Sequence, residues 1–155
     1  MSNLECLIRK NKIENFGKHL SKILEMNVVE NNFLDIEQTD FLSKKFYDSY
    51  KRSKDKICEK YASSECQSLE KIIKSISLKF SNKMGYLIIK QTEECGLLKV
   101  SVESLLKKYR EIIEFDGDSI CILTDNEKEG IYIDYFEENN EIRSFWYYEF
   151  CHWEL

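Results

Sequence analysis

Proline is absent, and only five glycines are spread over the 155 residues. Without proline there is no stiff hinge to mark an internal boundary, and so few glycines supply no Gly-rich loop of the kind that cradles phosphate or a dinucleotide. Neither G-x-S-x-G nor H-E-x-x-H occurs, which removes the nucleophile elbow and the helical zinc-protease pair. Histidine is confined to His19 and His152, and the six cysteines include no C-x-x-C pair. The ligand spacing that fixes a tetrahedral zinc is therefore missing. Cys6, Cys58, Cys66, Cys95, Cys121 and Cys151 read as small buried apolar residues or idle thiols rather than a disulfide framework. No apolar run reaches the ~18 residues of a membrane span, and residues 1–10 lack the apolar core and cleavage site of a secretory leader. A cytoplasmic chain without a membrane partner is expected, and no motif calls for a cofactor.

What is present is a chain of ordinary single-domain size with 43% apolar and 13% aromatic residues, enough to bury a core. The net charge of −5 hides a polarity along the chain. Residues 111–155 hold 13 acids against two bases, Lys128 and Arg143, a net of −11, while residues 1–110 hold 15 acids and 21 bases, a net of +6. Ten of the 20 aromatics also fall in that acidic segment. Charge asymmetry of this kind speaks to partners rather than to fold.

The first half reads helical. Ile13, Phe16, Leu20, Ile23 and Leu24 recur at helical spacing and predict a helix over about 12–26, with Gly17 in its midst. Residues 28–36 read as a connector that tucks Val29, Phe33 and Leu34 into the core. Leu42, Phe46, Tyr50, Ile57 and Tyr61 then mark one face of a long helix over about 37–61, with an i,i+4 pair between Asp48 and Arg52. The other side of that helix is basic, carrying Lys44, Lys45, Lys51, Arg52, Lys54, Lys56 and Lys60. No aromatic is interleaved there, so it reads as a solvated face before it reads as a nucleic-acid patch. Ser64 and Gln67 have capping-box spacing ahead of a helix over about 65–81, whose face is Leu69, Ile72, Ile73, Ile76 and Phe80.

The pattern changes near 82–85. Residues 86–90 form a short apolar strand, followed by a polar loop holding Cys95 and Gly96. Ser101 can cap a helix with Val102, Leu105, Leu106, Tyr109, Ile112 and Ile113 on one face, with Glu103 favouring its dipole and Gly117 ending it. Strands at 119–124, 131–136 and 142–150 follow as a meander, the second turn being carried by Asn139 and Asn140, which tolerate positive φ. The fold class is thus α+β: a helical N-terminal half packed on a C-terminal antiparallel meander, all in a single domain.

Alternation sorts the meander by face. Tyr132, Asp134 and Phe136 share one side of their strand, as do Phe145, Tyr147 and Glu149 of the next, while Ile131, Ile133 and Tyr135 oppose the first set and Trp146 and Tyr148 the second. Periodicity leaves open which face the helices cover. An uncovered face would present rings among carboxylates, with Glu137, Glu138 and Glu141 at the turn. Rigid aromatics rimmed by charge have the composition of a protein interface. Asp116, Asp118, Asp134 and Glu137 invite a Mg²⁺ or Ca²⁺ reading, but "DGDSICILTDNE" departs from the EF-hand spacing after two acids, and Asp116 and Asp118 read as turn and capping residues. Cys151 beside His152 suggests a nucleophile and its base, yet neighbours in a strand point to opposite faces. No enzyme is expected.

The run "GLLKVSVESLLKKYREIIEFDGDSICILTDNEKEGIYIDYFEE" resembles the C-terminal portion of small bacterial immunity proteins, those encoded beside polymorphic or contact-dependent growth-inhibition toxins. The likeness lies in a helix, then "EFDGDS", then a strand, then an acidic aromatic strand, and it covers about a third of the chain. It implies a cytosolic inhibitor that binds a cognate toxin domain, often a nuclease with a basic cleft. The residues read separately give a compatible picture, in which Asp134, Glu137, Glu138 and Glu141 steer and pair with cationic groups while Tyr132, Phe136, Phe145 and Tyr147 include the anchors. The alternative is a regulatory or adaptor module whose basic helical half meets nucleic acid or an acidic protein.

Overall fold

The computed structural model describes Met1–Leu155. Its helices are α1 (Asn3–Leu24), α2 (Ile36–Arg52), α3 (Cys66–Lys79), α4 (Lys90–Cys95), α5 (Val102–Lys107) and α6 (Tyr109–Asp116). Its strands are β1 (Ile57–Ala62), β2 (Met84–Ile88), β3 (Leu98–Ser101), β4 (Ser119–Thr124), β5 (Glu129–Asn139) and β6 (Ser144–Glu154). All six strands join one antiparallel sheet in the order β1-β6-β5-β4-β2-β3. The architecture is α+β, with the meander of β4, β5 and β6 at its centre.

Local chemistry accounts for most boundaries. α1 starts well before residue 12 because Ser2 and Glu5 close a capping box: the Ser2 hydroxyl accepts from the Glu5 N–H at 3.2 Å and the Glu5 carboxylate accepts from the Ser2 N–H at 2.6 Å. The early turns escape a core-periodicity search because Leu4 and Leu7 are exposed. Ser101 accepts from the Ser104 N–H at 3.3 Å, and Gly117 at φ 102° supplies the left-handed C-cap. Between these caps the expected single helix breaks at Lys108 into α5 and α6, yet Val102, Leu105, Leu106, Tyr109, Ile112 and Ile113 all remain buried.

Several expectations are corrected. The long helix predicted to Tyr61 ends at Arg52, and the chain re-enters as β1, an edge strand paired with β6. Tyr61 is buried from that strand, whereas Ile57 is exposed. Asp48 and Arg52 form no ion pair. At α3 the Ser64–Gln67 box does not form; a short 3-10 turn over Ser63–Glu65 leads in, without a side-chain cap. In the connector Val28 and Phe33 are buried but Val29 is exposed. The polar loop around Cys95 is instead α4 followed by β3, which puts a further strand at the sheet edge. Asn139 and Asn140 keep negative φ; the turn is held by the Asn140 side chain, which accepts from the N–H groups of Ile142 and Arg143 at 3.0 and 2.9 Å.

Two cores result. The larger lies between one sheet face and α1, α3, α5 and α6, drawing Ile13 and Leu20 together with Leu69, Leu105, Ile112, Ile131, Ile133 and Phe150. Burial of one such side chain contributes roughly 1.5–3 kcal/mol. The smaller lies on the opposite face under α2 and comprises Leu42 and Phe46 with Ile88, Leu97, Cys121, Leu123, Cys151 and Trp153. This second face carries the candidate site.

Candidate partner-binding surface

Helix α2 crosses the strands rather than running along them. Near its start, the Thr39 hydroxyl accepts from the Leu97 N–H at 3.0 Å, beside β3. Near its end, Tyr50 lies 5.2 Å from Tyr132 and 5.3 Å from Trp153, ring to ring. Trp153 also packs 5.2 Å from Phe46 and donates its indole N–H to the Ser49 hydroxyl at 3.0 Å. Gly130 sits directly opposite Trp153 on β5, and a Cβ there would meet the indole at 2.4 Å. Glycine at that position leaves room for the ring between the strand and the helix.

The register divides this face into rows across the sheet. Leu123, Gly130 and Trp153 form one, and Cys121, Tyr132, Cys151 and Cys58 the next; both lie under α2 except for Cys58, exposed at the sheet edge. Beyond the helix come Ser119, Asp134, Glu149 and Lys60, then Phe136, Tyr147 and Ala62, then Glu138 and Phe145. A helix about 10 Å across covers only about two rows, since side chains on one face recur every ~7 Å along a strand. The remaining rows face solvent in part: Asp134, Phe136, Tyr147 and Glu149 are half-buried, and Glu138 and Phe145 are exposed.

The acidic row has unusual electrostatics. Asp134 and Glu149 are directly opposed on adjacent strands, an arrangement that destabilises a sheet when both are charged. Neither enters an ion pair. Burial pushes the Asp134 carboxyl up, the polar Tyr135 N–H and Tyr132 hydroxyl nearby offset this in part, and the charge of Asp118 pushes it up again; the Tyr135 N–H itself donates to the Asp118 carbonyl at 3.1 Å. Lys60 stands opposite Glu149, but its ammonium turns away to pair with Glu138 and lies 4.4 Å over the Tyr147 ring and 5.3 Å from that of Phe136. The negative charge of the patch is therefore graded, open at Asp134 and Glu149 and partly neutralised at Glu138.

Past Asp134 and before Tyr147 no third strand pairs with β5 or β6, so residues 136–146 form a two-stranded hairpin. Its other face carries a run of rings, with Tyr135 stacked 4.8 Å from Trp146 and tilted 4.6 Å from Tyr148, and Tyr148 5.9 Å from Tyr109. Burial pushes the Tyr148 hydroxyl up to about 12. At the tip Ile142 is 88% exposed and Trp146 43%.

Of the residues singled out from sequence, Asp134, Phe136, Glu138, Phe145 and Tyr147 share the open part of one face. Tyr132 shares that face but lies half-buried against Tyr50. Glu137 points to the opposite face, opposed to Trp146, and Glu141 is exposed in the turn. Two contributors were missed. Lys60, which the sequence reads as part of a solvated basic helix face, sits instead on β1, and Glu149, which shares a face with Phe145 and Tyr147, is placed by strand alternation beside Asp134.

The acids whose number invites a cation reading do not gather: Asp116 accepts from the Lys90 N–H at 3.1 Å, and Glu137 and Asp134 lie on different faces. Cys151 does not face His152. It forms a disulfide with Cys58, directly opposite on β1, which corrects the reading of these two as idle thiols. His152 lies on the other face, 3.2 Å from the Glu129 carboxylate and edge-on to Phe80. Between α2 and the end of β6, Phe41 is 64% exposed in an open groove lined by Lys44, Lys45 and Arg52 together with the acids Asp48 and Glu154, so an aromatic does accompany the basic residues there. Lys45 is paired with Glu127 at 2.9 Å. No helix is long and apolar enough to cross a membrane. Comparison with known protein families, curated proteins and solved structures finds no match.

Proposed function

We propose that the chain is a non-enzymatic inhibitor of the immunity-protein type, which binds a cationic toxin domain, a nuclease being the best fit, through the open end of its second sheet face. The observation that carries this reading is the opposed, unpaired Asp134 and Glu149, bordered by Phe136, Tyr147 and Phe145. The row destabilises the free chain and would be relieved by a cationic side chain arriving from a partner. Phe145 and the neighbouring rings supply apolar area at small entropic cost, and Glu137, Glu138 and Glu141 on the hairpin steer the encounter. A nuclease cleft built to receive phosphates presents the complementary charge.

The test first asks whether the gene beside this one encodes a domain whose lethality this chain relieves, and then uses that domain. Glu137→Lys, Glu138→Lys and Glu141→Lys together should slow association most strongly at low salt, while Phe145→Ala should weaken affinity by roughly 2 kcal/mol, about 30-fold, through faster dissociation. Inhibition unchanged by the triple reversal at every salt concentration would overturn the assignment of the site.

The groove around Phe41 favours a second reading, in which Lys44 and Arg52 meet the phosphates of a nucleic acid and Phe41 stacks on a base. A gel-shift assay at low salt separates the two. Salt-sensitive binding lost in Lys44→Glu would support this adaptor role, and its absence would favour the acidic-surface inhibitor.

A further inference from the structure

The disulfide has a neighbour that a purely structural cross-link does not require. Cys58 and Cys151 face each other across β1 and β6, and Glu149, two residues along on the same face, brings a carboxylate oxygen 3.7 Å from the Cys151 sulfur. One ligand atom from each of the three lies within 4.8 Å of the others. No other set of three or more cysteine, histidine or carboxylate groups in the molecule is gathered in this way.

Glu149 also lacks a cation that its position offers. Lys60 stands opposite it yet commits its ammonium to Glu138 and two rings, and its other cross-strand neighbour is a second carboxylate, Asp134. Beside two sulfurs, an uncompensated carboxylate disfavours thiolates unless positive charge is supplied. Cys151 is buried beside Tyr50, Tyr132 and Trp153, whereas Cys58 is exposed at the sheet edge and gives a route in from solvent.

From this geometry we propose that Cys58, Cys151 and Glu149 form a binding site for one thiophilic divalent cation, of the zinc and cadmium class, which becomes available when the Cys58–Cys151 bond is reduced. A dithiol reductant delivers two electrons and two protons, the S–S bond breaks, and the reductant leaves as its own disulfide. The cation then displaces the two thiol protons and forms two metal–sulfur bonds, Glu149 binds through oxygen, and water from the exposed side completes the shell. Around a tetrahedral ion with ~2.3 Å metal–sulfur bonds the two sulfurs sit roughly 3.8 Å apart, a spacing that side chains on directly opposed strand positions can reach. The same ion would neutralise the Asp134–Glu149 row. The site is thus an alternative to the disulfide; it shares Glu149 with the surface proposed above, but metal uptake needs no partner, so it stands or falls separately from that reading.

The experiment uses the full chain carrying Cys6→Ser and Cys66→Ser, which removes the exposed and half-buried spare thiols. After reduction with a phosphine and removal of oxygen, Cd²⁺ is titrated while the ultraviolet cadmium–thiolate absorption is followed, and bound metal is counted after gel filtration. The expected result is one ion per reduced chain and none per oxidised chain. Cys58→Ser, at an exposed position where folding can be verified by circular dichroism, should weaken binding about 100-fold. Glu149→Gln should weaken it about tenfold while keeping the thiolate band, the signature of a third ligand rather than a folding defect. A reduced chain that takes up Cd²⁺ no better than its Cys58→Ser variant would overturn the proposal. An unchanged affinity in Glu149→Gln would remove Glu149 from the site.

Discussion

The two ends of one sheet face, built from the same strands, have opposite character. At the end under α2, β5 and β6 contribute Gly130, Tyr132, Cys151 and Trp153, and Phe46 and Tyr50 close over them. Two residues further along, the same strands contribute Asp134 and Glu149, then Phe136 and Tyr147, with no helix above. The change falls where the width of the crossing helix runs out. A single α-helix laid across strands of 11 residues leaves much of their length uncovered, and the composition follows that limit: apolar and small beneath, charged and aromatic beyond. Carboxylates in the acidic tail are therefore placed by geometry, at the rows where solvent or a partner can reach them.

The sharpest way to break this contrast is to unseal the covered end. Trp153→Ala removes the ring that holds α2 through Phe46, Tyr50 and Ser49 and should cost about 3–5 kcal/mol, read as a lower denaturant midpoint. Cys58→Ser comes next. Under oxidising conditions, loss of a cross-link spanning 93 residues should cost about 3 kcal/mol, and the difference from the parent should disappear once both are reduced. Gly130→Ala leaves every other contact in place but drives a methyl into the indole, for a loss of about 1–3 kcal/mol and a changed Trp153 fluorescence.

The smallest effect has the opposite sign and makes the open end more like the covered one. Burial holds the Asp134 carboxyl above its ordinary range, so the folded chain binds that proton more tightly than the unfolded chain does. Once ionised, Asp134 weakens the fold; the penalty is absent below the ordinary carboxylate range and complete above the raised pKa. Asp134→Asn should accordingly stabilise by about 0.5 kcal/mol at neutral pH, with the gain fading as the pH falls through the carboxylate range. A gain that persisted at acidic pH would show that charge is not its cause.

Much of this arrangement was legible in the sequence, and what was not shares a cause. The α+β class, the buried faces of α1, α3, α5 and α6, the Ser101 and Gly117 caps and the sorting of Tyr132 through Tyr147 by face follow from spacing a few residues long. β1 did not, because its residues follow a Lys-rich stretch that suits a helix and become a strand only by pairing with β6. Lys60, the cation of the patch, moves with it from a solvated helix face to the sheet edge. The disulfide was hidden for the same reason, its cysteines being 93 residues apart. Alternation put Asp134 and Phe136 on one face, but the path of α2, which decides which rows of that face stay open, depends on where Trp153 meets Phe46. The Ser2–Glu5 box, by contrast, was present in the sequence as S-x-x-E and would have placed the start of α1.

The pairing of β1 with β6 also dictates a sequence of events. A ribosome releases residues 57–62 long before residues 147–152, so during synthesis this edge segment has no strand to join, and α2 waits for the indole on which it will rest. Contacts between such distant stretches form late and slowly in the general run of domains. The sheet can be finished only after β6 has left the exit tunnel, so a nascent chain stalled short of β6 would hold a lone ribbon at 57–62 with its backbone amides unmatched.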